Sequence, residues 1–352
     1  MKTVKVTLDS YTYPLFIDTG LIGRIDEICD LYRFPTRRIV ISGVVDGEMN
    51  SDLIDRLKKY EILFVQAGET DNRFDLIAQI FDQLPFKNNG AGITLIAIGE
   101  DWLIKTAGFA SRLLAAPTYL ICIPVSFWSM LETGINDEAF LNWRNEIAVL
   151  KVNYCPKLVF LDGQFLSGQT QNDSLLASTV VLRQLLLIKP DLFHNFQSNF
   201  PEIFSPGKME NNQVLEELIT SRLELYKNKT DRKCLNDFGV RFLNHYRATK
   251  EIWPDPVKMA LLVFVDICWR WQTGKTLQIS DADESDAIFS LIEKICLKYR
   301  ISSAAWEQAK KDLAAMFSAK LLSNIFLPVS IGKLQLINSI DLDMAKKCLA
   351  AC

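Results

Sequence analysis

The stretch GITLIAIGEDWLIKTAGFASRLL, Gly92 to Leu114, decides how the chain is read. Thr94 to Ile98 form a short β-branched, apolar run, which predicts a strand covered on both faces. Gly99 ends that run, and Trp102 to Leu114 repeats apolar residues at helical spacing. A strand, a tight turn and a helix in this order form the junction where an α/β fold can hold a nucleotide's phosphates, on free backbone N–H groups and the helix dipole. Such loops are usually rich in glycine so that the backbone can approach the phosphates. Here the turn reads Gly99, Glu100, Asp101, so the architecture is expected without the phosphate chemistry.

Working outward, the same alternation continues on both sides. Val4, Val6 and Leu8, then Tyr13, Leu15 and Ile17, alternate around Asp9, Ser10 and Tyr11 as a β-hairpin would. Strands are expected at 38–42, 62–66, 94–98, 119–124 and 157–161, and helices at 50–60, 73–84 and 102–114. The βαβα order predicts a mostly parallel sheet with helices on both faces. Glu132 to Glu146 reads as a polar connection. Beyond about residue 170 the period becomes helical, at 175–188, 214–226, 234–249, 257–271, 285–298 and 303–318, with strand character around 327–331 and a last short helix at 341–350. The chain is therefore expected to be α/β over 1–168 and mostly helical over 169–352.

Composition limits the function classes. The 352 residues are 49% hydrophobic and 23% charged, with a net charge of -3, which gives no support for nucleic acid or an anionic membrane as partner. Eight cysteines stand without a C-x-x-C pair, mostly in apolar stretches, as suits small buried hydrophobes in a reducing cytoplasm. The N-terminus lacks a hydrophobic signal region, and the apolar run 259–269 contains Asp266 and is too short to span a bilayer. A cytoplasmic protein is expected. Gly274–Lys275–Thr276 is not a P-loop, because Trp269 stands where that motif needs glycine. Trp253, Trp269 and Trp271 read as core, His194 as a helix-packing residue and His245 as a solvated one.

Several strings in sequence order resemble the 3-dehydroquinate synthase family: TLIAIGEDWLIKTAGFA (94–110), YLICIPVSFWSM (119–130), TGIN (133–136), RNEIA (144–148), PKLVFLD (156–162), RKCLN (232–236) and LPVSIGKLQL (327–336). The resemblance implies a Rossmann-like N-terminal domain that binds NAD and a helical C-terminal domain that carries zinc. A seven-carbon sugar-acid phosphate would lie in the cleft between them. Carried over position by position, it places Leu182 where the family has its metal-binding glutamate and Leu185 at the following lysine. Val240 and Asn244 fall on the next ligand and its neighbouring histidine, and Asp255 falls on the third ligand. The whole chain has two histidines, His194 and His245, fewer than such a site uses. Leucine and valine offer a dication no lone pair.

On the substrate side, the resemblance leaves Arg144, Asn145, Arg232 and Asn236 as candidates to hold an anion or a hydroxylated molecule. On the NAD side it leaves Gly68, Glu69, Gly99 and Ser126 as vestigial positions. At ~6 Å and an effective dielectric of about 20, Glu100 and Asp101 would each repel a pyrophosphate by roughly 2–3 kcal/mol. Together they would remove about three decades of affinity. Asp101 is expected to N-cap the helix in place of the phosphate. No cofactor is expected: zinc has lost its ligands, and NAD is disfavoured, although glutamates that rotate away would leave room for it.

The sequence thus reads as a catalytically inactive relative of 3-dehydroquinate synthase, kept as a small-molecule-binding or interaction scaffold. The alternative is a metal-independent enzyme of that superfamily acting on a phosphorylated or carboxylated small molecule, with Asp255 or Glu132 as general base. Expected partners are a small anionic metabolite, a second copy in a homodimer, or an active homologue.

Overall fold

The computed structural model describes residues 1–8, 11–43, 55–65, 74–84, 92–136, 138–143, 146–188, 193–194, 197–198, 212–250 and 254–352. The chain falls into two compact units, one built mainly from Met1–Gly168 and the other from Ser221–Lys250 and Pro254–Cys352 together with the helix at Gln171–Ile188.

The first unit is a seven-stranded sheet in the order β1-β2-β9-β6-β5-β3-β4. Its strands are β1 (Lys2–Leu8), β2 (Tyr11–Asp18), β3 (Arg38–Ser42), β4 (Glu61–Phe64), β5 (Ile93–Gly99), β6 (Thr118–Pro124) and β9 (Leu158–Asp162). All neighbours pair in parallel except β1, which pairs antiparallel with β2 from Lys2↔Ile17 to Leu8↔Tyr11. Tyr11 therefore belongs to a strand, not to the turn the sequence suggested.

β5 lies inside the sheet, and all seven of its residues are buried. Ile96 and Ile98 share a core with Val40, Ile121, Ile123, Leu158 and Phe160 and with Ile25 and Ile28 of helix α1 (Ile25–Leu31). The alternate residues Leu95 and Ala97 face the other way by strand alternation and are equally buried. Helix α3 (Asp101–Leu113), which follows α2 (Phe74–Gln83), packs against β5 and β6. Gly108 in α3 is a true close approach, since a Cβ there would lie 2.9 Å from the Tyr154 ring. Of the helix expected at 50–60, residues 55–60 are described: 55–57 are helical and 58–60 form a turn ahead of β4.

Two elements were not legible beforehand. Between β6 and β9, where 132–146 was expected to be a polar connection, the chain forms α4 (Phe127–Thr133) and a separate antiparallel hairpin, β7 (Glu138–Trp143) with β8 (Glu146–Asn153). Ala139 and Leu141 of β7 are fully buried, an alternation hidden by the polar residues between them.

The second unit is helical. Its helices are α5 (Gln171–Ile188), the end of α6 (Asn212–Tyr226), α7 (Lys229–Asp237), α8 (Arg241–Lys250), α9 (Pro256–Thr276), α10 (Ala282–Lys298), α11 (Ser303–Ala315) and α12 (Leu342–Ala350). A hairpin of β10 (Ser323–Ser330) and β11 (Lys333–Ser339) completes it. The single helix expected over 234–249 is two, because Gly239 adopts φ +74 between α7 and α8. α9 is apolar nearly all round and forms the core of the unit, with Met259 to Trp271 buried throughout. Trp269 meets Phe242 edge-on at 5.5 Å and donates its indole N–H to the Ala345 carbonyl at 3.0 Å, so it and Trp271 are core residues, as expected. Trp253 lies outside the described residues. Among the described residues, no helix is long and apolar enough to cross a membrane.

The first turn after β2 is fastened by one buried carboxylate. Asp162, at the end of β9, accepts from the backbone N–H groups of Gly20 at 2.7 Å, Ile22 at 3.1 Å and Gln164 at 3.0 Å. Asp162→Ala strands these donors and is expected to cost about 3 kcal/mol or more of folding stability. Asp162→Asn, which keeps acceptor capacity, should lose clearly less. Urea unfolding of the two variants measures the difference, and equal losses would refute the carboxylate's role.

Candidate functional site

The junction after β5 is closed by its own side chains. A Cβ on Gly99 would lie 2.6 Å from the end of the Leu103 side chain, and one on Gly43, just after β3, would lie 2.9 Å from the Trp102 ring. The space that glycine leaves at the ends of these strands is thus filled by Leu103 and Trp102 of α3. Asp101 does not N-cap the helix. Glu100 holds that position, with φ -71 and ψ 171, and makes no side-chain cap. Asp101 lies one residue further on, in the first helical turn, 2% exposed, with Lys105 Nζ at 3.1 Å. An i,i+4 ion pair has taken the place of the expected cap.

The Glu100 carboxylate instead accepts from Ser126 Oγ at 2.6 Å. Ser126 is the N-cap of α4: its Oγ accepts from the Ser129 N–H at 3.1 Å, while Ser129 Oγ accepts from the Ser126 N–H at 3.0 Å. This reciprocal box satisfies two donors at the start of α4. Ser126 is therefore part of a structural network with Glu100. Glu132 lies half-buried in the last turn of α4. Gly68, Glu69, Arg144 and Asn145 lie outside the described residues.

In the helical unit, Leu182 of α5 is fully buried and Val240 is 4% exposed. Beside Leu182, the fully buried Arg183 donates through Nε to the Phe238 carbonyl at 2.8 Å and through Nη2 to the Leu235 carbonyl at 2.7 Å. The end of α7 is thereby capped by a guanidinium, and a Cβ on Gly239 would lie 2.9 Å from the Arg183 stem. Asp255 is no free base: it N-caps α9, accepting from the Lys258 N–H at 3.0 Å, ahead of Pro256. Arg232 and Asn236 share one face of α7, and Asn236 is exposed. Arg232 lies back on the end of α6, with Nη2 donating to the Tyr226 carbonyl at 3.1 Å and its guanidinium 5.2 Å from the Tyr226 ring centre. His194 is exposed, not packed inside as its apolar neighbours suggested, and His245 is half-buried on α8 rather than solvated.

Sequence reasoning missed the main charged cluster. Arg270 of α9 is fully buried and donates to Asp266 Oδ1 at 2.7 Å, Asp237 Oδ2 at 2.8 Å and the Phe326 carbonyl at 2.8 Å. Arg241 pairs with the other oxygen of Asp237 and donates to the carbonyls of Ser323 at 2.8 Å and Asn324 at 2.7 Å. Burial pushes the Asp266 carboxyl above its ordinary range, against the pull of Arg270. Burial alone would lower Arg270, but Asp266 and Asp237 outweigh it and hold the guanidinium charged. The i,i+4 spacing of Asp266 and Arg270 inside an apolar helix was the available signal.

No protein-family model matches the chain. Curated relatives do. The 3-dehydroquinate synthase of Bartonella quintana is 24% identical over 216 residues, covering 58% of this chain and 57% of that protein. That of Colwellia psychrerythraea is 24% identical over 245 residues, covering 69% of this chain and 68% of that one. The chain thus matches little over half the length of the first of these relatives. Among solved structures, the 2-epi-5-epi-valiolone synthase of Streptomyces hygroscopicus subsp. jinggangensis, with NAD+ and Zn2+ bound, aligns at a TM-score of 0.77 and 16% identity over 98% of both chains. A 2-deoxy-scyllo-inosose synthase, in complex with carbaglucose-6-phosphate, NAD+ and Co2+, aligns at 0.78 and 13% identity over 99% of both. The architecture, a Rossmann-like α/β unit and a mostly helical unit, is that of these two synthases. In sequence and in fold the chain is similar to the 3-dehydroquinate synthase-like proteins, and these matches support membership of that family.

These neighbours correct the expectation that no cofactor is called for. Proteins of this fold are solved holding NAD+ together with zinc or cobalt. The positions that the resemblance gives to the metal carry Leu182, Val240 and the capping Asp255, which do not form a donor set, and among the described residues no three His, Cys, Asp or Glu side chains could share a metal ion. At the nucleotide position, Leu103, Trp102 and the Glu100–Ser126 bond occupy the junction. The described side chains therefore do not fit either group in the manner of the family's motifs.

Removing Arg270 tests the buried cluster. Arg270→Met leaves the buried Asp266 carboxylate without its cation, while Asp237 keeps Arg241, and is expected to cost about 3–5 kcal/mol at neutral pH. In that variant the folded-state pKa of Asp266 rises further above its unfolded value, so the folded protein binds the extra proton. Stability lost at pH 7 should therefore return in part as the pH falls toward the unfolded pKa. Chemical denaturation across that range checks the sign, and a deficit that is flat or grows on acidification would be inconsistent with it.

Proposed function

We propose that this chain keeps the sugar-phosphate cyclase fold as a binding or interaction scaffold and does not carry out the family's ring closure. The observation that carries this reading is the pair Leu182 and Val240, buried and apolar, flanking an Arg183 whose guanidinium is spent on the Leu235 and Phe238 carbonyls. Cyclisation with loss of phosphate needs groups that accept and return protons at the reacting carbons and that polarise a carbonyl. Leucine and valine can do neither. Asp255, the carboxylate nearest in sequence to that role, is engaged as a helix cap.

The scaffold would work in the cytoplasm, as a homodimer or beside an active homologue, and would offer a small anionic metabolite the Arg232–Asn236 face of α7 with Arg144 and Asn145 as further candidates. Supporting this choice, Arg232 is held as a fixed cation, its Nη2 donating to the Tyr226 carbonyl and its guanidinium lying near the Tyr226 ring.

The test supplies what the fold's neighbours bind. Purified protein with NAD+ and Zn2+ or Co2+ in excess is given the seven-carbon sugar-acid phosphate, and inorganic phosphate is followed. No release above the protein-free blank is expected; sustained release over many turnovers would overturn the proposal. Light scattering reads the assembly: a species of twice the 40.1 kDa chain mass, or a co-purifying homologue, is expected. A lone chain without either would refute the partner part.

A further inference from the structure

A cavity of about 730 Å³ opens between α10, α11 and the residues after α12, wholly within the helical unit and away from every position that the family resemblance singles out. Its volume lies in the range of small-molecule sites. Trp306 of α11 and Phe289 of α10 line it, both half-buried, so their rings are reachable from the cavity. Cys268, Cys296 and Cys352 bring three sulfurs to it from three separate segments. Burial pushes the Cys296 thiol up to about 11 and the Cys352 thiol to about 12, and raises Cys268 well above its ordinary range, so all three are neutral at pH 7. They form a soft, polarisable wall, neither nucleophile nor thiolate ligand.

The charged lining is of one sign. Asp286, Glu293 and Glu307 line the cavity, and no lysine or arginine does. Asp286 and Glu307 are answered from outside it, by Lys275 at 2.8 Å and Lys310 at 3.1 Å. Glu293 makes no hydrogen bond or ion pair among the described residues and is exposed at the cavity's edge. An anionic occupant would meet only negative charge, beside neutral donors such as the serine hydroxyls, whereas a cation would meet Glu293 and two aromatic rings. We infer that this cavity binds a small aromatic cation, its ring lying against Trp306 and Phe289 and its charge directed to Glu293. The inference does not rest on the scaffold reading.

Calorimetric titration of the whole chain with tryptamine and with indole-3-acetate, which share a ring and differ in charge, tests it. Tryptamine is expected to bind at least ~fivefold more tightly than the acetate, as a single cation–π or ion-pair contact allows. Glu293→Gln, at an exposed position, should remove most of that preference, and Trp306→Leu should weaken tryptamine by about fivefold. Equal affinity for the two probes, no saturable tryptamine binding, or binding unchanged in Glu293→Gln would each overturn the inference.

Discussion

A guanidinium with no access to water has to be answered completely, and in the helical unit Arg270 is that guanidinium. Its partners lie on α7 (Asp237), on its own helix α9 (Asp266) and on β10 (the Phe326 carbonyl), while Arg241 carries the same cluster to the start of β10. A charge buried this way gives little net stability, but a missing partner is costly, so the register of these elements is fixed more narrowly than apolar packing would fix it. The turn at Phe238 and Gly239 sits between this cluster and Arg183, which caps the same segment from α5. Two arginines thus determine the path of the chain through the stretch where the family's motif places metal-binding residues.

The α/β unit was the more legible half. β5 and α3 were expected within a residue or two, because a strand buried on both faces leaves a continuous apolar run and the helix after it has a clear period. Parallel pairing followed from the alternation of elements. The β7–β8 hairpin was hidden, since only one face of β7 is covered and its buried Ala139 and Leu141 alternate with polar or aromatic residues over a short span. In the helical unit, the break at Gly239 was lost inside an apolar pattern that continues across it. A single left-handed residue is enough to redirect a helix and leaves no trace in hydrophobic period.

At the candidate site, identities were easier to foresee than roles. Leu182 and Val240 are buried, as apolar residues in helices are apt to be. Asp101 does not take the part expected of it, because the helix begins one residue earlier than its period suggested, and a one-residue shift turns a cap into a first-turn ion pair. Asp255 looked like a free carboxylate and is a cap, since Pro256 can take the first helical position and favours a start there. The Arg270 cluster could have been noticed from Asp266 inside an apolar helix, but its second carboxylate comes from another helix and is not adjacent in sequence.

The fold's neighbours hold NAD+ with zinc or cobalt, whereas this chain has the same architecture with different side chains at the junctions. There is a physical reason why the two can part. Sheet and helix packing here rests on fully buried residues such as Ile96, Ile121, Val263 and Trp269, none of which needs a ligand to be stable. Ligand-holding groups stand at strand ends and helix starts, where replacing them can relieve unpaired charge instead of opening a cavity. Leu103 against Gly99, Glu100 with Ser126 and Arg183 on the end of α7 stand at such junctions, each satisfying its own neighbours. Fold similarity therefore identifies the architecture, while the activity of this chain depends on what those few junctions can bind.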